Sequence, residues 1–299
     1  MRAFAVFLGL LAVAFGVVAL FTYPAWLLLH PHFDFPFHRI GERIGMLALA
    51  VGLALVARLL GLKDKASFGY GAPAREFRRE LAIGLALGVA TMLAVVGIMA
   101  ALGVLEWRSA TVLATGPLAK VIAQGLASGL AVAFIEETFL RGAMFAAIQR
   151  ESGTRTAVIL TSVLYSASHF FAKVRIPADQ VTAWSGVALI TGTSRTFADP
   201  LGIADAFLCL AAVGVVLAVV RAQTGNIAAG LGLHAGWVWV MLVAHELTRP
   251  AETSPLRFLL SRFDGFVGWL VLAWTIPMGL ALWWFYAHRR RPVSSAARA

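Results

Sequence analysis

The chain has 299 residues, of which 60% are hydrophobic and only 13% are charged, and its mean hydropathy is +0.82. A soluble domain has about 25% charged residues, so this composition excludes an ordinary soluble protein and indicates a polytopic membrane protein. The formal net charge of +10 requires no nucleic-acid partner, because the basic residues are concentrated in loops that flank the hydrophobic segments.

Eight segments are predicted to cross the membrane, since a spanning helix needs about 20 mainly apolar residues. They lie at 3–29, 44–62, 81–105, 118–148, 156–172, 201–221, 227–247 and 265–287. The first lacks an obvious signal-peptide cleavage site and is expected to be retained. A ninth stretch, 181–192, is short and interrupted by glycine, so we interpret it as re-entrant or interfacial. The sequence therefore predicts an all-α fold, a polytopic membrane helical bundle of about eight transmembrane helices forming one integral membrane domain, 1–299.

The basic residues indicate the orientation of this bundle. They cluster in three regions: 58–80, Arg150 with Arg155, and Arg289 with Arg290 and Arg291. With eight spans and both termini in the cytoplasm, all three regions lie inside, as the positive-inside rule requires. We therefore expect anionic lipids to contact the cytoplasmic loops. The high arginine and alanine content favours a bacterial source, which gives the bacterial cytoplasmic (inner) membrane as the expected location.

The segment FIEETFLRG, residues 134–142, places two adjacent carboxylates inside a predicted span. An ionised side chain at such a depth costs roughly 2.5 to 3.5 kcal/mol on insertion scales. Residues four apart share a helix face, so Glu137 is expected to pair with Arg141, which offsets the desolvation of both groups. Glu136 points elsewhere and has no charged residue three or four positions away. Its partner is therefore expected to come from another helix.

Two histidines in other predicted spans are candidate partners, His169 near the end of 156–172 and His234 within 227–247. A carboxylate can take a proton from water while an imidazole orients that water, and a second imidazole can donate to the oxyanion that forms on a carbonyl. Glu136, His169 and His234 therefore suffice to hydrolyse a peptide bond without a nucleophilic serine or cysteine. A purely structural role for each histidine, and for the Glu137–Arg141 pair, stays open at this point.

Three motifs in this region resemble those of the CAAX protease and bacteriocin-processing family (CPBP, or Abi), which includes the type II CAAX prenyl endopeptidases. EETFLR, from Glu136 to Arg141, is similar to the EExxxR motif of the family. YSASH, from Tyr165 to His169, resembles its FxxxH motif with tyrosine in place of phenylalanine, and TGNIAAGLGLHAGWV resembles its third motif around His234. The resemblance covers residues 118–247, which we expect to be the catalytic core helices.

The resemblance implies an intramembrane glutamic endopeptidase that cleaves a membrane-associated peptide or protein without a metal or other cofactor. It implies that Glu136 and His169 activate a water molecule and that His234 contributes to the oxyanion hole. It also implies that Glu137 and Arg141 order the site, in agreement with the pairing expected from helix geometry.

One position departs from the family pattern. The asparagine expected four residues after His234 is replaced by Val238, whose side chain has no hydrogen to donate. Loss of one oxyanion-hole donor costs about 2.7 to 4 kcal/mol of transition-state stabilisation. The indole N–H of Trp237 or Trp239 is the candidate replacement.

Three other functions are compatible with the sequence. Two histidines and a glutamate can bind Zn²⁺ as in membrane metalloproteases, although no HExxH motif occurs. The stretch HPHFDFPFH contains the potential ligands His30, His32, Asp34 and His38, which we interpret as an outer interfacial loop. Val238 favours a non-catalytic immunity or scaffold protein of the same family, and a transporter with Glu136 as proton relay is the remaining alternative.

Overall fold

The computed structural model describes residues 1–108, 115–170 and 174–289. Arg290 and Arg291, which were predicted to lie on the cytoplasmic side, are outside the described part. It is 75% helical, which confirms the all-α membrane bundle. The α-helices are α1 (Arg2–Leu29), α2 (Phe37–Val56), α3 (Ala74–Ala101), α4 (Thr115–Glu136), α5 (Phe145–Ser168), α6 (Ser185–Phe197), α7 (Ala204–Thr224), α8 (Ala228–Leu247) and α9 (Trp269–Arg289). A π-helix, Glu137–Met144, joins α4 to α5, and short 3-10 turns occupy Ala178–Gln180 and Arg257–Leu259.

Six helical segments of the described chain are long and apolar enough to cross a membrane, judged by length and composition, so the expected number of eight is not confirmed. One of the six, Leu118–Ser168, is a continuous run of 51 residues where two spans were predicted. Gly153 interrupts this run, since its φ of 82° lies outside the helical range.

Helix α2 differs from its predicted span, 44–62, at both ends. It begins at Phe37, directly after Pro36, and ends at Val56. Its first turns therefore contain the charged residues Arg39, Glu42 and Arg43, which were assigned to the preceding loop, and α2 is not among the six candidate spans. Helix α6 has 13 residues, which is too short to cross the bilayer, as expected for the stretch 181–192.

Helices α3 and α8 pack through glycines that bring their backbones into contact. Gly84 and Gly88 on α3 face Gly232 and Gly236 on α8, and a Cβ on Gly236 would lie 2.8 Å from the carbonyl oxygen of Leu85. Both pairs have the small-xxx-small spacing that allows close approach of membrane helices. The candidate residue His234 lies between these two glycines along α8. The glycine contact therefore fixes the position of its backbone relative to α3.

The segments predicted to lie inside meet at one end of the bundle. Arg289, at the end of α9, pairs with Glu80 on α3 at 3.4 Å, and Arg150 donates a hydrogen bond to the carbonyl oxygen of Leu60 at 2.7 Å. The loop before α3 also contacts the π-helix, since the hydroxyl of Tyr70 hydrogen-bonds that of Thr138.

Two loops predicted to lie outside pair at the other end. Strand β1 (Leu105–Trp107) and strand β2 (Thr248–Pro250) form an antiparallel ladder with Glu106 opposite Arg249. No strand was predicted here, because each strand has only three residues and the pairing joins segments that are distant in sequence.

The glycine contact between α3 and α8 can be tested by adding one methyl group. Gly88→Ala would place a Cβ in overlap with the carbonyl oxygen of Leu233, so we expect a loss of about 1 to 3 kcal/mol in stability from overpacking and a lower melting midpoint in detergent. Gly97→Ala, on the same helix, meets no atom within 4 Å and is expected to be neutral or stabilising. Equal melting midpoints for the two variants would contradict this packing.

Candidate active site

The acidic motif lies where the helical hydrogen-bond pattern changes. Helix α4 ends at Glu136 and the π-helix begins at Glu137, and the N–H of Phe145 donates to the carbonyl oxygen of Leu140, five residues earlier. A π-helix is rare and occurs most often at functional sites. The sequence-based expectation was a continuous α-helix, because no local residue pattern distinguishes the two.

Glu137 is the centre of a buried polar cluster. Its Oε1 accepts a hydrogen bond from Nη1 of Arg141 at 3.1 Å, which confirms the expected i,i+4 pair. The same oxygen accepts a second hydrogen bond from Nδ1 of His234 on α8 at 3.0 Å. All three residues are almost completely buried. One carboxylate oxygen therefore fixes both an arginine on its own helix and an imidazole on another.

Neighbouring helices hold Arg141 in place. Its Nη2 donates to the carbonyl oxygen of Gly214 on α7 at 3.2 Å, and its guanidinium lies over the ring of Tyr165 on α5, 4.5 Å from the centroid. The backbone carbonyl of Arg141 accepts a hydrogen bond from Nε of Arg221 at 3.1 Å. Charge, backbone and aromatic contacts thus connect the π-helix with α5 and α7.

Glu136 has a different environment from its neighbour. Its side chain is 30% exposed, and its Oε2 lies 3.9 Å from Nε2 of His234, so the group nearest to it is an imidazole on another helix, as expected. This distance exceeds a hydrogen bond, and Oε2 accepts none from the residues described. His234 therefore lies between two carboxylates, bonded to Glu137 and adjacent to Glu136.

His169 follows the end of α5 and is oriented by its own helix. Its Nδ1 lies 2.8 Å from the carbonyl oxygen of Tyr165, and the two rings pack edge-on with centroids 4.5 Å apart. A carbonyl oxygen only accepts, so Nδ1 carries a hydrogen and Nε2 of the neutral ring is an acceptor. Within the described ranges, no hydrogen bond or ion pair joins His169 to Glu136 or His234.

The three candidate residues line one cavity of about 340 Å³. Most of its wall is apolar and comes from α3, α5, α7, α8 and α9, including Met92, Leu210 and Met278. Glu136, His169 and His234, which come from three different segments of the chain, therefore surround the same space. An apolar cavity with a few convergent polar groups is the usual form of a binding site for a small or extended ligand.

Val238, the position of the missing asparagine, also lines this cavity. The indole N–H of Trp237 donates to Oγ1 of Thr91 at 2.9 Å, and that of Trp239 donates to the carbonyl oxygen of Ile122 at 3.0 Å. Both candidate replacement donors are therefore engaged elsewhere.

Trp274 of α9 is a residue that sequence reasoning missed. It lines the cavity, and its buried indole nitrogen has no acceptor among the residues described. A buried donor without an acceptor costs about 1 to 3 kcal/mol, so a ligand carbonyl that reached this N–H would offset that cost. The sequence signal was weak, because Trp274 is one of several tryptophans in its span and lies outside the three motifs.

No group of three or more histidine, cysteine, aspartate or glutamate residues in the described part of the chain is arranged to hold a metal ion. This applies to the cavity as well as to the HPHFDFPFH stretch. In that stretch, the ring of His30 stacks on Trp26 with centroids 4.4 Å apart.

Comparison with protein families gives one match. Residues 118–240 fit the family model for type II CAAX prenyl endopeptidase Rce1-like proteins. This segment of the chain is therefore similar to the Rce1-like family. Comparisons with curated proteins and with solved structures gave no match. The matched segment contains Glu136, Glu137, Arg141, His169 and His234. The match supports an integral membrane protein of the CAAX protease class, that is, a peptide hydrolase acting on membrane-associated substrates.

The buried Glu137–Arg141 ion pair can be compared with an exposed ion pair that has the same distance between nitrogen and oxygen. Glu137→Gln leaves Arg141 buried without a counter-charge, and we expect a loss of about 3 to 5 kcal/mol, seen as a lower melting midpoint in detergent. Glu106→Gln removes the partner of Arg249, also at 3.1 Å but exposed, and is expected to have little effect. Similar midpoints for the two variants would show that Glu137 does not stabilise the fold.

Proposed function

We propose that this chain is an intramembrane glutamic endopeptidase that hydrolyses a peptide bond of a membrane-associated protein or peptide. The observation that carries this proposal is the position of Glu136, a partly exposed carboxylate in the wall of an apolar cavity that His169 and His234 also line. An ionisable group at membrane depth is a functional candidate by default, and two imidazoles beside it supply proton-transfer and hydrogen-bonding capacity.

In the proposed mechanism, Glu136 is the general base. A water molecule held between its carboxylate and Nε2 of His169 gives a proton to Glu136 while the water oxygen attacks the carbonyl carbon of the peptide bond. The carbonyl electrons move onto oxygen and form a tetrahedral intermediate. As the C–N bond breaks, the proton passes from Glu136 to the leaving amine. The products are a carboxylic acid and an amine, and Glu136 returns to its ionised form.

His234 and Trp274 are the proposed donors to the oxyanion. Glu137 holds His234 through Nδ1, so Nε2, which faces Glu136, is the nitrogen that can reach the substrate when it carries a proton. The N–H of Trp274 provides the second donor in place of the asparagine that Val238 replaces. Donors fixed before the reaction stabilise the developing charge without reorganisation.

Glu137 and Arg141 are proposed to act through His234 rather than on the substrate. Both are fully buried behind the cavity wall, and their hydrogen bonds fix the orientation of the imidazole. The proposal treats 118–247 as the catalytic core of one membrane domain, 1–299. We also propose that the protein lies in the bacterial cytoplasmic membrane and that anionic lipids contact its cytoplasmic loops.

Substitution of the proposed base tests this mechanism. Glu136→Gln is expected to lower the rate of cleavage of a fluorogenic membrane-bound peptide library by at least about 10² to 10⁴-fold, the usual contribution of a general base. The melting midpoint should stay near that of wild type, because Glu136 makes no hydrogen bond in the buried cluster. Glu246→Gln, an exposed acid at the end of α8, serves as the control and should leave the rate unchanged.

Three outcomes of that experiment would contradict the proposal. Full activity of Glu136→Gln would exclude Glu136 as the base. Activity lost on chelation and restored by Zn²⁺ would favour the metalloprotease. Absence of cleavage by the wild-type protein, together with tight binding of a peptide in the cavity, would favour the scaffold function.

The donor role of Trp274 is tested by removing only its N–H. Trp274→Phe is expected to lower kcat by about 10² to 10³-fold with little change in KM. The melting midpoint should be unchanged or higher, since a buried donor without an acceptor is removed. Trp239→Phe, whose indole bonds Ile122 away from the cavity, should retain kcat. A Trp274→Phe variant with wild-type kcat would remove this residue from the mechanism.

A further inference from the structure

A second concavity, separate from the cavity around Glu136, lies between the end of α1 and the first turns of α2. It is a groove of about 210 Å³. Its apolar wall consists of Ala25, Leu29, Phe35, Ile40, Ile44 and Leu47. Among the described residues, the charged ones that line it are Arg39 and Arg43, so this lining combines an aliphatic wall with two positive charges and no acid.

The two arginines face the groove from one side of α2. They are four residues apart, which places them on the same helix face, and both are exposed. Nη1 of Arg43 donates to the backbone oxygen of Arg39 at 3.0 Å. In the part of the chain that the structure describes, no carboxylate lies within 4.0 Å of either guanidinium, unlike Arg141, Arg249 or Arg257.

The position of the groove along the bundle matches the headgroup level of a bilayer. Leu29 is the last residue of α1, a helix of 28 residues that qualifies as a membrane span. Trp26 lies in its last turn, and Phe33 and Phe35 are exposed in the loop that follows. Aromatic side chains concentrate at membrane interfaces. The guanidinium groups therefore lie where lipid phosphates are, with the aliphatic wall beside the acyl chains.

We propose that this groove binds one anionic phospholipid, with its phosphate on Arg39 and Arg43 and one acyl chain along the apolar wall. Arginine binds phosphate through two parallel N–H···O bonds, and both guanidinium groups have donors to spare. An anionic rather than a zwitterionic lipid is specified because none of the described residues that line the groove is acidic and could receive the ammonium group of a zwitterionic headgroup. A free phosphate ion would leave the apolar wall without a ligand.

This site differs from the lipid contacts proposed for the cytoplasmic loops. It lies at the end of the bundle that the charge distribution predicts to be outside, and it is defined by a groove instead of by net charge. It is also independent of the proposed peptidase activity, so either conclusion can fail without the other.

Native mass spectrometry of the full chain in detergent tests this site, with phosphatidylglycerol and phosphatidylcholine offered at equal concentration. Wild type is expected to retain one phosphatidylglycerol at activation energies that remove phosphatidylcholine. The double variant Arg39→Gln/Arg43→Gln should bind that lipid roughly 30-fold more weakly, from the usual contribution of two basic residues at an anionic surface. Arg75→Gln/Arg78→Gln removes the same charge from exposed positions on α3 and should retain the lipid.

A second variant separates the groove from its charge. Ile44→Trp fills the apolar wall but keeps both arginines, and it should also lose the retained lipid. Inorganic phosphate at millimolar concentration should not displace the lipid from wild type. The site is refuted if the Arg39→Gln/Arg43→Gln variant binds phosphatidylglycerol as wild type does, if the two lipids are retained equally, or if the loss is the same in the Arg75→Gln/Arg78→Gln control.

Discussion

The burial of the Glu137–Arg141 pair is the constraint on which the arrangement of this bundle depends. Two charges removed from water are tolerated only when geometry and additional hydrogen bonds compensate for their desolvation. Here the compensation comes from several helices, through His234, the carbonyl oxygen of Gly214 and the ring of Tyr165. The pair therefore connects α5, α7 and α8 with the π-helix and fixes His234, one of the proposed catalytic groups.

The glycine contact between α3 and α8 complements this polar cluster. Lipid is as apolar as the helix surfaces, so membrane helices associate through close packing rather than through the hydrophobic effect. Gly232 and Gly236 bring the backbone of α8 against α3, and His234 lies between them on the chain. Close backbone packing thus sets the position of α8, while Glu137 sets the orientation of the imidazole.

The sequence predicted those parts of the site that depend on local spacing. The Glu137–Arg141 pair follows from i,i+4 geometry, and the absence of a local partner for Glu136 pointed correctly to another helix. The start of α2 was misplaced, because charged residues in its first turns have the composition of a loop. Trp274 was missed, since its relation to Val238 depends on how α9 packs against the cavity, which no spacing along the chain encodes.

The π-helix between α4 and α5 restricts the length of this part of the chain as well as its composition. A deletion of one residue within Glu137–Met144 that left the π-helical hydrogen bonds in place would change the helical phase by about the 100° that separates successive helical residues. All of α5, together with His169, would then rotate relative to Glu136. Substitutions at lipid-facing positions leave the phase unchanged. The limit on residue number in this stretch is therefore separate from the limit on residue identity that the burial of Glu137 and Arg141 imposes.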